Sequence, residues 1–314
     1  MLEKYKVIID MDIGDDIDDA IALLAAMKQG FDIIGITTVF RNTPERARMA
    51  KKMLKDFGNG YENVPVYAGH GIPHDKPKST VYGHTPHYSP LLDDPAYAPD
   101  SEVPDAAVDF IINSCRKYGK ELAVIAIGPF TNIARVIEKD PTALNAAAKV
   151  VIMGGSYVGQ YASWNIMCDV PAADIMFRNL YNIECISADV THKTVAEDAL
   201  YDSIVNYGGD SPAQIYLKEL CALWKIDRPK AKLLLHDPIV VYYLADPSIC
   251  AMKKASVVII TDGFAKGITL NVEEYTKKWM NEEAYAGFDM SRKVLFSTDI
   301  NKDTFNSRIL KDFT

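Results

Sequence analysis

The sequence predicts an α/β fold: a single domain over residues 1–314, built on an open, mainly parallel sheet with helices on both faces. Three observations predict it. Short apolar, β-branched runs alternate with helix-length amphipathic segments along most of the chain. Several of the runs end in Gly, Asp or Thr, as strands do when they deliver a site beyond their carboxyl ends. No internal repeat, low-complexity segment or linker divides the 314 residues.

Tyr5–Ile9 reads as a buried strand. Asp18–Lys28 reads as a helix with Ile21, Leu24 and Ala25 on one face and Asp18 and Asp19 in its first turn. Ile33–Phe40 is a second strand, Glu45–Phe57 a helix entered through Thr43-Pro44, and Val64–Tyr67 a short strand. A stretch rich in Gly, Pro, His and Tyr follows over 69–104, a length that suits a functional loop. Helix Asp105–Tyr118, strand Leu122–Ile127, helix Thr131–Glu138 and strand Lys149–Met153 resume the alternation. Gly154-Gly155 opens a second irregular loop ending near Asn165. Helix Pro171–Leu180, strand Ile183–Ala188 and several helices across 194–245 complete the core. Ala255–Leu270 reads as a hairpin turning at Thr261-Asp262-Gly263. Residues 271–289 are polar and irregular, Val294–Ser297 a late strand, and Asn301–Leu310 a last helix.

The densest chemistry lies after the first strand. Asp10, Asp12, Asp15, Asp16, Asp18 and Asp19 fall within ten residues. Carboxylates this close repel one another unless a cation neutralises them, and a hard divalent cation with oxygen ligands is the natural choice. An Asp-rich helix N-terminus explains one or two of them. An EF-hand does not fit, because its DxDxDG spacing and closing Glu are absent.

Composition narrows the remaining classes. A net charge of −8 argues against a nucleic-acid polymer as partner. Five scattered cysteines, Cys115, Cys168, Cys185, Cys221 and Cys250, form no CxxC pair and suggest neither a zinc knuckle nor a disulfide framework. Glu3, Lys4 and Lys6 stand where a signal peptide would be apolar, and no apolar run approaches the roughly 18 residues of a membrane span, so a cytoplasmic protein without a membrane partner is the expectation.

Six segments, in order along roughly residues 5–250, resemble the inosine-uridine-preferring nucleoside hydrolases. Asp12-Ile13-Gly14 with Asp18-Asp19-Ala20 resembles the family's DxDPGxDDAxA signature, and Ile36–Asn42 its ITTVxGN segment. Ile127–Ala134 resembles GPLTNIA preceded by its strand end, and Val150–Gly155 resembles VVxMGG. Trp164-Asn165 with Cys168-Asp169 and Ala172-Ala173 resembles EWNxxxDPEAA, and His236-Asp237-Pro238 resembles HDP.

The resemblance implies hydrolysis of the N-glycosidic bond of a ribonucleoside with a bound Ca²⁺, through an oxocarbenium-like transition state. It implies Asp12, Asp19, Asp237 and the Ile127 carbonyl as metal ligands, with Asp12 also the base that takes a proton from water. Asp18, Asn42 and Asn165 would hold the ribose, with Ser163 and Trp164 beside it. His236 would face the leaving base as general acid, and Asp10 would support the site from behind. A homo-oligomer, dimer or tetramer, is also implied.

Three departures stand out. Two extra residues separate Gly14 from Asp18-Asp19, so Asp15-Asp16 compete for the ligand positions. Ser163 replaces the family's Glu at the ribose 5′-hydroxyl, which removes a charge-assisted bond and points to a modified or 5′-phosphorylated substrate as an alternative, with Arg41 as a phosphate partner. Loop 69–104 carries His70, His74, His84, His87, Tyr82 and Tyr88, suited to surrounding a base. Two further alternatives are a haloacid-dehalogenase-type phosphatase, with Asp10 as nucleophile and Asp12 as acid, and a non-catalytic nucleoside or ribose binder. The first rests on the DxDx[TV] pattern, although Gly14 stands at its fifth position.

Overall fold

The computed structural model describes residues 5–207, 209–276 and 291–313. Its main sheet is built from β1 (Lys6–Met11), β2 (Asp32–Thr38), β3 (Val66–Ala68), β4 (Leu122–Ala126), β5 (Lys149–Met153), β6 (Ile183–Ile186), β7 (Cys250–Ala255) and, beyond the hairpin strands β8 (Val257–Ile259) and β9 (Thr269–Asn271), β10 (Val294–Ile300). The eight-stranded order is β3-β2-β1-β4-β5-β6-β10-β7. All pairings are parallel except the edge pair β10–β7. The order reverses between β1 and β4, and the crevice outside two such strands is where ligands bind in open α/β sheets.

Strand alternation splits the core into two layers. Val7, Ile9 and Met11 join one cluster with helices Asp18–Lys28, Thr43–Phe57, Pro212–Asp227, His236–Ala245 and Lys302–Phe313. Ile8 joins the other with helices Pro104–Tyr118, Thr131–Lys139 and Val170–Asn179. The single α/β domain with helices on both faces is as the sequence predicts.

Four local readings need correction. Helix Asp18–Lys28 is not amphipathic: every residue from Asp18 to Met27 is buried, because the helix packs against both the sheet layer and helix His236–Ala245. Strand β6 stops at Ile186, and Ala188 begins the short helix Ala188–Thr191. The hairpin pairs Val257–Ile259 with Thr269–Asn271, while Ala255 belongs to β7, so the connection is longer than a tight turn at 261–263. Val272–Thr276 is a helical turn rather than irregular chain, and the rest of the 271–289 reading, 277–289, lies outside the described residues. The five cysteines are free. No helix among the described residues is long and apolar enough to cross a membrane.

Candidate active site

The first link is a packing contact. Helices Asp18–Lys28 and His236–Ala245 lie side by side, and both begin at the same end of the sheet. Their first turns carry Asp18, Asp19 and Asp237, which are buried, with one carboxylate oxygen of each lying within 4.8 Å of the others. The Asp237 N–H donates to Asp18 Oδ2 at 3.3 Å. The Asp12 N–H donates to Asp19 Oδ1 at 3.1 Å and ties the end of β1 to the group. Asp12 itself stands just outside this trio, its Oδ1 lying over Gly128.

The two-residue insertion finds its partners elsewhere. Asp15 pairs with Arg41 and with the fully buried Arg46, each at 3.0 Å. Asp16 pairs with Arg228 at 2.8 Å. Arg46 also holds the loop from beneath, donating to the carbonyls of Phe40, Asp12 and Ile13. Asp15 and Asp16 are thus bound by arginines, while Asp18, Asp19 and Asp237 face one another with no cationic side chain among the described residues in ion-pair contact.

That arrangement has an electrostatic consequence. Burial first, then repulsion from nearby acids (Asp16 on Asp18, Asp12 and Asp18 on Asp19, Asp18 and Asp19 on Asp237), pushes all three well above the usual carboxylate range. Burial raises Asp12 to about 7 against the pull of Arg46. An all-oxygen, multiply anionic group of this kind fits a hard divalent cation, which would return the acids to their ionised form.

Asp10 sits behind the site. Its Oδ1 accepts from Thr37 Oγ1 at 2.6 Å and Asn132 Nδ2 at 2.7 Å, and it is wholly buried. Asn132 also donates to the Thr38 carbonyl at 3.0 Å and accepts the His70 N–H at 2.8 Å. A phosphatase nucleophile must reach solvent-borne substrate, and Asp10 does not. The haloacid-dehalogenase reading fails on that ground.

The trio borders a cavity of about 560 Å³, within the usual range for a small-molecule site. Asp12, Ile127, Ser163, Trp164, Asn165 and His236 line it too, so the structure brings most of the sequence-derived residues to one place. Asn165 Nδ2 donates to the carbonyls of Ile127 at 2.7 Å and Met153 at 3.1 Å. Ser163 is buried, and its Oγ accepts the Gly155 N–H at 2.7 Å. Trp164 is exposed at the rim. His236 Nδ1 lies 2.6 Å from Thr191 Oγ1, and burial together with His192 lowers its pKa to about 4, so the ring is neutral near pH 7.

Asn42 is not brought to the cavity. It caps helix Thr43–Phe57 through the Glu45 N–H, at 3.4 Å. Phe40 and Arg41 take the left-handed backbone conformation, with φ of 67° and 59°, and Arg41 rather than Asn42 faces the acids. Loop 69–104 differs as well. His70 binds Asp105 and Asn132, and His74 binds the buried Asp169 through its ring at 2.9 Å and its N–H at 3.0 Å. His84 meets Glu45, His87 packs behind Gly14, and Tyr88 donates to Asp93. The His70, His74 and His84 rings and the His87 backbone fasten the loop to other elements, and Pro86 is its contribution to the cavity wall.

Sequence reasoning missed Arg46, Arg228, Tyr161 and His192. The last three line the cavity, and Arg46 lies beneath its acidic loop. A buried arginine has no local signature, and the other three reach the site from separate elements.

Gly128 is a glycine for a steric reason. A Cβ there would lie 2.6 Å from Val39 Cγ1 and 2.9 Å from Asp12 Oδ1. Gly128→Ala should therefore cost about 1–3 kcal/mol of stability, read by thermal melting, and should lower turnover by displacing Asp12. A variant with wild-type melting and turnover would show that the neighbourhood of Asp12 gives way freely.

Comparison with known proteins settles the family. The sequence profile of the inosine-uridine preferring nucleoside hydrolases matches residues 7–307. The chain belongs to this family. Its relatives include two rice proteins (Oryza sativa subsp. japonica), probable uridine nucleosidases 1 and 2. The first is 29% identical over 91% of this chain and 90% of its own length, the second 30% over 95% and 90%. A solved plant nucleoside hydrolase, the PpNRh1 enzyme, superposes with a TM-score of 0.81 at 26% identity, covering 99% of both chains. This nucleoside hydrolase is accordingly an N-glycosidase, and the reading as a non-catalytic binder falls with that assignment.

Proposed function

We propose that the chain hydrolyses the N-glycosidic bond of a ribonucleoside with Ca²⁺ as its resident ion, releasing free base and ribose. The observation that carries this is the buried trio Asp18, Asp19 and Asp237 at the end of a nucleoside-sized cavity. Asp19 and Asp237 serve as ligands with Asp12 and the Ile127 carbonyl, and Asp18 stands between the ion and the ribose hydroxyls. When bound, the cation supplies positive charge that acidifies an attacking water and orients the ribose diol. Asp12, raised by burial, takes the proton from that water. Asn165, held rigid by two backbone carbonyls, keeps its amide oxygen for a ribose hydroxyl. His236 offers its second ring nitrogen to the departing base. Uridine is the first substrate to try, since the rice relatives carry its name.

The test is a panel of nucleosides and 5′-nucleotides, with free base and ribose measured in calcium buffer. Release of base from at least one nucleoside, abolished by chelation and restored by Ca²⁺, is the expected result. No base from any member of the panel would overturn the reading, and activity indifferent to chelation would remove the metal from it.

A second reading concerns the ribose 5′ position. Ser163 spends its hydroxyl on Gly155 and brings no charge there, and the Arg41 guanidinium lines the same cavity. A 5′-phosphate is then tolerated better than it would be beside a Glu. Ser163→Glu should lower kcat/KM for a nucleoside 5′-monophosphate, relative to the free nucleoside, by about tenfold or more through like-charge repulsion. An unchanged ratio would show that the 5′ end does not approach Ser163.

A further inference from the structure

The cavity has two chemically different sides. One is anionic. On the other, three rings arrive from three elements. Tyr161 comes from the loop before helix Trp164–Cys168, His192 from the end of helix Ala188–Thr191, and His236 from the start of its own helix. The Tyr161 and His192 rings are near-parallel, with planes 4° apart and centroids 5.8 Å apart. His236 stands edge-on to His192, at 74° and 5.4 Å. The rings form a corner on the cavity wall.

The corner is held in place. Tyr161 Oη lies 2.9 Å from His192 Nδ1. Asp189, on the short helix that His192 caps, accepts the N–H groups of Tyr157, Val158 and Gly159 and the Ser156 hydroxyl, at 2.7 to 3.1 Å. One carboxylate thereby clamps the loop that carries Tyr161 to the helix that carries His192. Ala162 is bridged to Ile268 on the other side. Both Tyr161 and His192 remain exposed, so the core does not require their rings.

We infer that Tyr161 and His192 form the platform on which the leaving base stacks and by which it is selected, with Asp189 as their positioning residue. The inference rests on the nucleoside-hydrolase reading given above. With the sugar drawn to the carboxylate side, the planar neutral heterocycle falls on the aromatic side, where it gains stacking and avoids the anions. When the Tyr161 hydroxyl donates to His192 Nδ1, the neutral imidazole carries its proton on Nε2. That N–H meets the acceptors that bases present at their edges, a carbonyl oxygen in uracil or a ring nitrogen in a purine.

The experiment uses the full chain in calcium buffer. It compares wild type, Tyr161→Phe, Tyr161→Ala and His192→Ala for uridine and inosine turnover, and for inhibition by free uracil, free hypoxanthine and ribose. Tyr161→Ala and His192→Ala should weaken inhibition by the free bases about 5- to 100-fold, the effect of losing one stacking surface, and leave inhibition by ribose unchanged. Tyr161→Phe keeps the ring but frees the His192 tautomer, so it should shift the uridine-to-inosine ratio of kcat/KM. Inhibition by base and ribose weakening in parallel, or not weakening at all in an active enzyme, would overturn this inference alone. A wild-type protein that releases no base would overturn it together with the reading it rests on.

Discussion

Asp12→Asn should lower turnover about 100- to 10,000-fold, the range for removing a positioned proton acceptor. The substitution keeps the shape and an oxygen atom, and it leaves the Asp12 N–H on Asp19. Asp12 is suited to the task by its surroundings. It lies on the cavity wall at the end of β1, and burial holds it near neutrality. Asp15 and Asp16 cannot replace it without leaving their arginines. Measured Ca²⁺ affinity should weaken only modestly, which separates loss of the base from loss of the ion. Turnover equal to wild type would take Asp12 out of the proton transfer.

Asp237→Ala should have the second large effect, and it is read first by melting. Calcium that binds the native state about 100-fold above its dissociation constant adds roughly 2.7 kcal/mol. In a chain of 314 residues, that raises the wild-type melting temperature by roughly 4 °C over the chelated protein. Asp237→Ala should abolish the increment and the activity together. Without metal, the variant should melt no lower than metal-free wild type, because it removes one of three mutually repelling buried acids. A full calcium increment in Asp237→Ala would show that the ion sits elsewhere. A metal-free variant far less stable than metal-free wild type would show that Asp237 is structural.

The fold class and most of the site's residues are legible in the chain alone. Short continuous apolar runs with helical segments between them point to a buried parallel sheet, since parallel neighbours are joined by crossovers, usually helices, that cover both faces. Helix Asp18–Lys28 was legible to its last residue because Asp18-Asp19 open it and Gly30 closes it. The six spaced segments carried the family, which the match over residues 7–307 bears out. Asp12, Asp19, Ile127, Asn165, His236 and Asp237 came from the resemblance, and all six line one cavity beside the switch point of the sheet.

Which charges meet is a matter of packing. The spacing alone could not choose between Asp15-Asp16 and Asp18-Asp19. The choice depends on Arg41, Arg46 and Arg228, which lie 25 or more residues away and take the first pair out of contention. Asn42 left the cavity because helix capping is a local bond and the left-handed turn at Phe40 and Arg41 is enforced from outside. His70, His74 and His84 became anchors because their partners, Asp105, Asp169 and Glu45, come from other elements. Local chemistry names the groups a chain can use. Packing alone sets the distances between them, and electrostatic and hydrogen-bond energies depend on those distances.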